Sequence, residues 1–139
     1  MDRWAEAEKG INMDKQFTAT YFDASREEDV LTVGFVDSHD EPSEFMILQR
    51  SDESDDQDED LGQDTYYVEV GNPGVAGYGG IEKVEIFVDK VVLSFAKACS
   101  WVKPLSTVQI NISSSVVESD EIFSALNDIF MGEVALLRY

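Results

Sequence analysis

The sequence predicts an α+β domain: a mainly antiparallel β-sheet with one long C-terminal helix packed on one face. Three observations carry that prediction. Short β-rich runs alternate apolar and polar residues as half-buried strands do. Glycine, proline and acidic clusters punctuate those runs. Near the C-terminus the period lengthens: Ile122, Phe123, Leu126, Ile129 and Phe130 fall at i, i+1, i+4, i+7 and i+8, one apolar stripe of a helix. Many strands and one long helix fit a helix covering one face of a sheet.

The elements follow in order. FTATYF (Phe17–Phe22) reads as one strand, with Phe17, Ala19 and Tyr21 on one face, and ASREED is a charged turn. VLTVGFVD (Val30–Asp37) is a second strand whose inner face carries Leu31, Val33 and Phe35. SHDEPS is a turn, with Pro42 as breaker, and FMILQR (Phe45–Arg50) is apolar enough for a central strand. Ser51 to Asp64 holds eight Asp and Glu and no base, so it predicts a self-repelling loop.

TYYVEV (Thr65–Val70) is a strand with Tyr66, Val68 and Val70 on one face. GNPGVAGYGG (Gly71–Gly80) holds five of the nine glycines and predicts a loop. IEKVEIFVDKVVLSF (Ile81–Phe95) reads as a hairpin about Asp89 and Lys90. A helical turn is expected over Ala96–Val102, ended by Pro104, and VQINI (Val108–Ile112) alternates as a strand. Ser119 is the expected N-cap of the helix, Asp120 and Glu121 suit its dipole, and Gly132 stops it. VALLRY supplies a last edge strand.

The chain has 139 residues, which fits one domain. Residues 1–15 are polar and weakly patterned. Residues 16–139 form the expected domain, with the acidic loop at 51–64. Leu, Ile, Val and Phe make up 39 residues, enough for a core in a chain that buries about 68% of its unfolded surface.

Charge excludes several functions. Ten Lys and Arg stand against 29 Asp and Glu, a net charge of −19. No two basic residues are adjacent, so no stripe exists to neutralise phosphates. Neither nucleic acid nor an anionic membrane is an expected partner. No apolar run approaches the roughly 20 residues of a membrane span, and MDRWAEAEKGIN has no apolar signal core. A lone cysteine, Cys99, permits no internal disulfide and fits a reducing cytoplasm, the expected location. The favoured partner is basic.

Catalysis and cofactors find little support. His39 is the only histidine and sits in a polar turn, and one Cys with one His makes no zinc site. No Ser/His/Asp arrangement can be built, so no catalytic residue, metal site or cofactor is expected. Asp56, Asp58 and Asp60 have the spacing of a calcium-loop opening, but Leu61 replaces the turn glycine and Tyr67 the terminal acid. Starting at Asp58 places Glu69 last but Gln63 at the glycine. The glycine segment has no phosphate-loop spacing. It sets a hairpin, or presents Tyr78 as an interface anchor.

FMILQR, an acidic loop, DTYYVEV, GYGGIEKVEI, DKVVLSF and the SALNDIF helix, in that order, resemble the immunity protein 10 family of bacterial polymorphic toxin systems, over about Phe45 to Phe130. The sharpest part is YYVEV followed by GYGGI, which contains Glu69, Gly79, Gly80 and Glu82. The resemblance implies a small, mainly β, cytoplasmic, non-enzymatic protein. It would bind the toxin domain encoded beside it and neutralise that toxin by stoichiometric occlusion. It also implies a characteristic tryptophan and glutamate. Glu69 and Glu82 are the two candidates for the glutamate, and Trp101 lies after the hairpin. Many toxin domains of such systems cleave nucleic acids in basic grooves. Asp52, Glu53, Asp55, Asp56, Asp58, Glu59 and Asp60, with Tyr78 as anchor, are therefore the expected toxin contacts. The plain alternative for the acidic run is a solvated loop. The alternatives for the chain are an acidic module for another basic protein, a weak calcium-binding module, or a carboxylate-based hydrolase.

Overall fold

A computed structural model describes residues 13–38, 40–51, 65–71, 74–97, 99, 101–102 and 105–139, and among these described residues the alternating runs become ten strands and one helix. The strands are β1 Met13–Ala19, β2 Tyr21–Glu27, β3 Val30–Val36, β4 Phe45–Ser51, β5 Tyr67–Val70, β6 Val75–Tyr78, β7 Ile81–Ile86, β8 Lys90–Phe95, β9 Leu105–Ile112 and β10 Ala135–Arg138. The helix is α1, Ser119–Phe130. The α+β class and the C-terminal helix are as the sequence predicts.

The strands divide between two five-stranded sheets. One has the order β1-β9-β8-β7-β10 and the other β2-β3-β4-β5-β6. The second sheet is antiparallel throughout. In the first, the edge strands β1 and β10 add parallel to β9 and β7. One apolar core joins the inner faces of both sheets with α1. It includes Phe35, Met46, Leu48, Leu93, Ile110 and Phe130, each essentially without solvent access. Among the described residues no helix is long and apolar enough to cross a membrane.

Five expectations need correction. Phe17–Phe22 is not one strand. The chain leaves the first sheet at Ala19 and enters the second at Tyr21. Thr20 makes the junction, donating its N–H to the Val36 carbonyl at 2.9 Å and its hydroxyl to the Asp37 carbonyl at 2.9 Å. The interruption shifts the alternation by one residue, which flips every later side chain to the opposite face. Phe22 therefore packs on Phe35 at 5.1 Å, and Tyr21 faces solvent.

The charged turn is shorter than expected, because β2 runs to Glu27 and the reversal falls on Glu28 and Asp29, both at positive φ. Gly71–Gly80 is not all loop: Val75–Tyr78 is β6, in register with β5. Ser119 is not the N-cap. Glu118 holds that position with no side-chain cap bond. A missing cap costs about 1 kcal/mol. Burying Ile122, Leu126, Ile129 and Phe130 contributes about 1.5–3 kcal/mol each, so packing decides where the helix forms. At its far end Met131 takes the left-handed position, φ 49°, and Gly132 continues it at φ 84°. Between β8 and β9 the chain makes a turn closed by the Cys99 N–H on the Ala96 carbonyl at 3.0 Å. No helix forms there among the described residues.

Tyr66, just before β5, ties the two sheets together. Its hydroxyl accepts the Ile81 N–H at 2.9 Å and donates to the Ile81 carbonyl at 3.4 Å. Burial pushes this phenol up to about 12, against the pull of the Ile81 hydrogen bond. A pKa raised on folding gives stability that is complete below the ordinary phenol value of 10 and lost as pH climbs toward 12. Tyr66→Phe is expected to cost about 1–3 kcal/mol at neutral pH by orphaning the buried Ile81 N–H. It should also flatten the loss of stability between pH 10 and 11. Urea unfolding across pH 7–11 measures both.

Candidate interaction surface

Register places the side chains of the second sheet in rows. On its outer face Asp23, Gly34, Ile47, Glu69 and Ala76 lie side by side. The next row is Ser25, Thr32, Gln49, Tyr67 and Tyr78. Tyr21, Val36 and Phe45 form a third. An outer face with Phe45, Ile47, Val36, Tyr67 and Tyr78 on it is unusually apolar for the solvent side of a sheet. Among the described residues its charges are carboxylates, Asp23 and Glu69 in one row. Arg26 and Arg50 share the row of the buried Leu31 and so belong to the opposite face.

The outer face of the first sheet differs, with Gln16, Gln109, Val92 and Glu85 in one row and Thr107, Ser94 and Lys83 in another. Its lysines are engaged: Lys83 reaches Glu85 at 3.8 Å and Lys90 lies 5.0 Å from the Phe87 ring centroid.

Tyr78 ends β6 at the rim of the second sheet and is 39% exposed. Its ring meets Tyr67 edge-on at 5.4 Å. The Tyr67 hydroxyl donates to Glu69 Oε1 at 3.2 Å. Burial, followed by the Glu69 charge, pushes that phenol above its ordinary value. The result is a braced pair of aromatic rings beside a carboxylate.

Trp101 supports β6 from the core side. Its indole lies on Gly77, where a Cβ would stand 2.3 Å from Cγ, and packs edge-on against Phe95 at 5.6 Å. Trp101 Nε1 is buried without a hydrogen-bond partner among the described residues. Gly79 and Gly80 have φ of 67° and 97°, and a Cβ at Gly80 would meet Cys99 Sγ at 2.4 Å. These two glycines turn the chain from β6 into β7. Glu82 follows them, exposed at a bulge opposite β8, while Glu69 lies on the outer face of β5.

The ends of the acidic segment are fixed although the segment itself, with Asp52, Glu53, Asp55, Asp56, Asp58, Glu59 and Asp60, lies outside the described residues, as do His39, Pro73 and Pro104. The segment leaves from β4 and returns to β5, neighbours in one sheet. Arg50 is locked by two bonds of 3.1 Å to Glu133 and one of 2.9 Å to the Ile129 carbonyl. Thr65 donates to the same Glu133. The Arg50 and Thr65 bonds, in part opposed by burial, hold the Glu133 carboxyl below its usual range, so this clasp loosens as pH falls. Gln49, two residues before the departure point, shares a row with Tyr67 and Tyr78. The braced rings therefore stand beside the base of the acidic segment.

Across the molecule, Arg26, Leu31, Arg50, Asn127, Asp128 and Met131 line a broad depression of about 460 Å³. Among the described residues its lining has no histidine, cysteine or hydroxyl side chain. Among the described residues no three His, Cys, Asp or Glu cluster as metal ligands. Sequence reasoning singled out Tyr78 but missed Tyr67 as its neighbour and Phe45 and Ile47 as sharing its face of the sheet. Their signal was present, since FMILQR and TYYVEV place apolar residues on both parities.

A family model described as Immunity protein 10 matches residues 16–119. The match spans β1 to β9 and stops at the first residue of α1. It thus begins earlier than the resemblance over Phe45–Phe130 implies and leaves out the SALNDIF helix. No curated protein sequence matches the chain.

Proposed function

Since the chain belongs to the immunity protein 10 family, we propose that it binds a cognate toxin domain and neutralises it by stoichiometric occlusion, with no turnover. The observation that carries this reading is the family match over 16–119, which takes in the sheet with the apolar outer face. The net charge of −19 supports a basic target such as a nuclease. Tyr78 and Tyr67 supply the kind of rigid aromatic anchor that dominates protein interfaces. Asp52, Glu53, Asp55, Asp56, Asp58, Glu59 and Asp60 steer the toxin and take the place of phosphates in its groove.

The first test is co-expression. The chain should rescue cells from the toxin encoded beside its gene and from no unrelated toxin. Lack of rescue would end the proposal. The steering role is separate. Replacing the seven acids with Ser and Asn should slow association about 10- to 100-fold at low salt and flatten its salt dependence. Stopped-flow kinetics at two ionic strengths measure this, and unchanged rates would move the contact elsewhere.

A further inference from the structure

We propose that the outer edge of β6 is a strand-pairing site, and that an extended cationic segment of the toxin adds there as a sixth strand of the second sheet. The proposal rests on the immunity reading and names where and how the partner docks.

In an antiparallel pair, directly opposed residues alternate between those that exchange both hydrogen bonds and those that exchange none. The Gly79 N–H donates to the Tyr66 carbonyl at 2.9 Å, so Tyr66 and Gly79 are a bonded pair. The β5–β6 register then makes Val68–Gly77 and Val70–Val75 the next bonded pairs. Ala76 and Tyr78 lie between them and turn their N–H and C=O groups away from β5. No strand borders β6 on that side among the described residues. Four backbone groups thus face outward in the spacing that a further strand matches.

Proteins guard exposed strand edges with charged side chains, proline or bulges. Here β1 carries Asp14 and Lys15, β2 carries Asp23, Arg26 and Glu27, and β10 carries Arg138. β6 reads Val-Ala-Gly-Tyr, with no charge and no proline. Among the described residues it is the one unguarded edge of the four, and it carries the exposed Tyr78. Trp101 packs on Gly77 from behind the strand.

Charge selects the occupant. A second copy would bring another −19 to the same edge and be repelled. A Lys- or Arg-bearing strand is attracted, and its side chains on the outer face come alongside Tyr78, with Glu69 one strand further in.

Ala76→Pro tests this directly. Proline removes an outward N–H and no internal bond, and it is tolerated at sheet edges. The expected result is a melting temperature close to wild type, with binding to the toxin domain from the neighbouring gene weakened about tenfold or more. A folded Ala76→Pro that binds like wild type overturns the proposal. Hydrogen exchange on the unsubstituted protein gives an independent reading. The Ala76 and Tyr78 amides should exchange fast when free and at least about tenfold slower in the complex, with Gly77 protected in both. Equal protection of Ala76 and Tyr78 before and after binding overturns it, as does a wild-type dimer that Ala76→Pro dissolves. If wild type does not bind the toxin domain, the immunity reading falls and takes this inference with it; if it binds and Ala76→Pro binds equally, only the edge falls.

Discussion

Truncating Phe130 to alanine is expected to destabilise the protein by about 3–5 kcal/mol. The ring has no solvent access and stands at the last turn of α1, edge-on to Tyr66 at 4.9 Å. Tyr66 is the residue that hydrogen-bonds across to Ile81 of the other sheet. Phe130 therefore packs where helix and both sheets meet, and neighbours tied by hydrogen bonds cannot collapse into the space it leaves. The next residues toward the N-terminus are also held, because Arg50 grips the Ile129 carbonyl. Total stability of such a domain is only about 5–15 kcal/mol, so the loss is a large share of it. At a few degrees per kcal/mol for this size, the melting temperature should drop by roughly 10–20 °C. Phe123→Ala is the control. Phe123 is half-buried, with Arg138 over its ring at 4.9 Å, and should lose much less. Thermal unfolding followed by circular dichroism separates the two. A Phe130→Ala protein that melts within a few degrees of wild type would mean the three elements do not share one core.

The parts of the fold that were legible in the sequence are those governed by local periodicity. The alternation in VLTVGFV places Leu31, Val33 and Phe35 inside, and the longer period at Ile122–Phe130 marks the helix. What the sequence hid depends on partners far along the chain. A single junction residue, Thr20, changes sheet and parity in the middle of an unbroken β-rich run, and nothing local marks it. Glycine density made Val75–Tyr78 look like a loop. Of the five glycines in Gly71–Gly80, only Gly74, Gly79 and Gly80 use the positive φ that glycine allows. Gly77 is glycine for another reason: an indole from residue 101 occupies the place of its side chain. The candidate surface was half legible for the same cause. Tyr78 stood out by type, but its row with Tyr67 and Gln49 exists only through strand register.

Gly77→Ala is expected to destabilise the protein for that reason. A Cβ there would stand 2.3 Å from Trp101 Cγ and 2.5 Å from Cδ1 and Cδ2, so the indole must move. It has little room, being packed on Phe95 with its Nε1 buried. Overpacking of this kind costs about 1–3 kcal/mol or more. The gain from replacing glycine in a strand is only about 0.5–1 kcal/mol, so the clash decides the sign. Gly34→Ala provides the contrast within the same sheet. Its Cβ would meet nothing closer than Ile47 Cγ1 at 3.9 Å, and the substitution should be neutral or mildly stabilising. A double-mutant cycle identifies the mechanism. With Trp101→Ala in the background, Gly77→Ala should lose most of its penalty, a coupling of about 1–3 kcal/mol. Additive losses would mean that the strain lies in the β6 backbone and not against the indole. Because Trp101 holds β6 from the core side, the same single substitution should weaken toxin binding beyond its effect on stability, and the Gly34 variant should not. Glycine at 77 thus keeps an aromatic support behind the unguarded edge, where a residue with any side chain would push that support away.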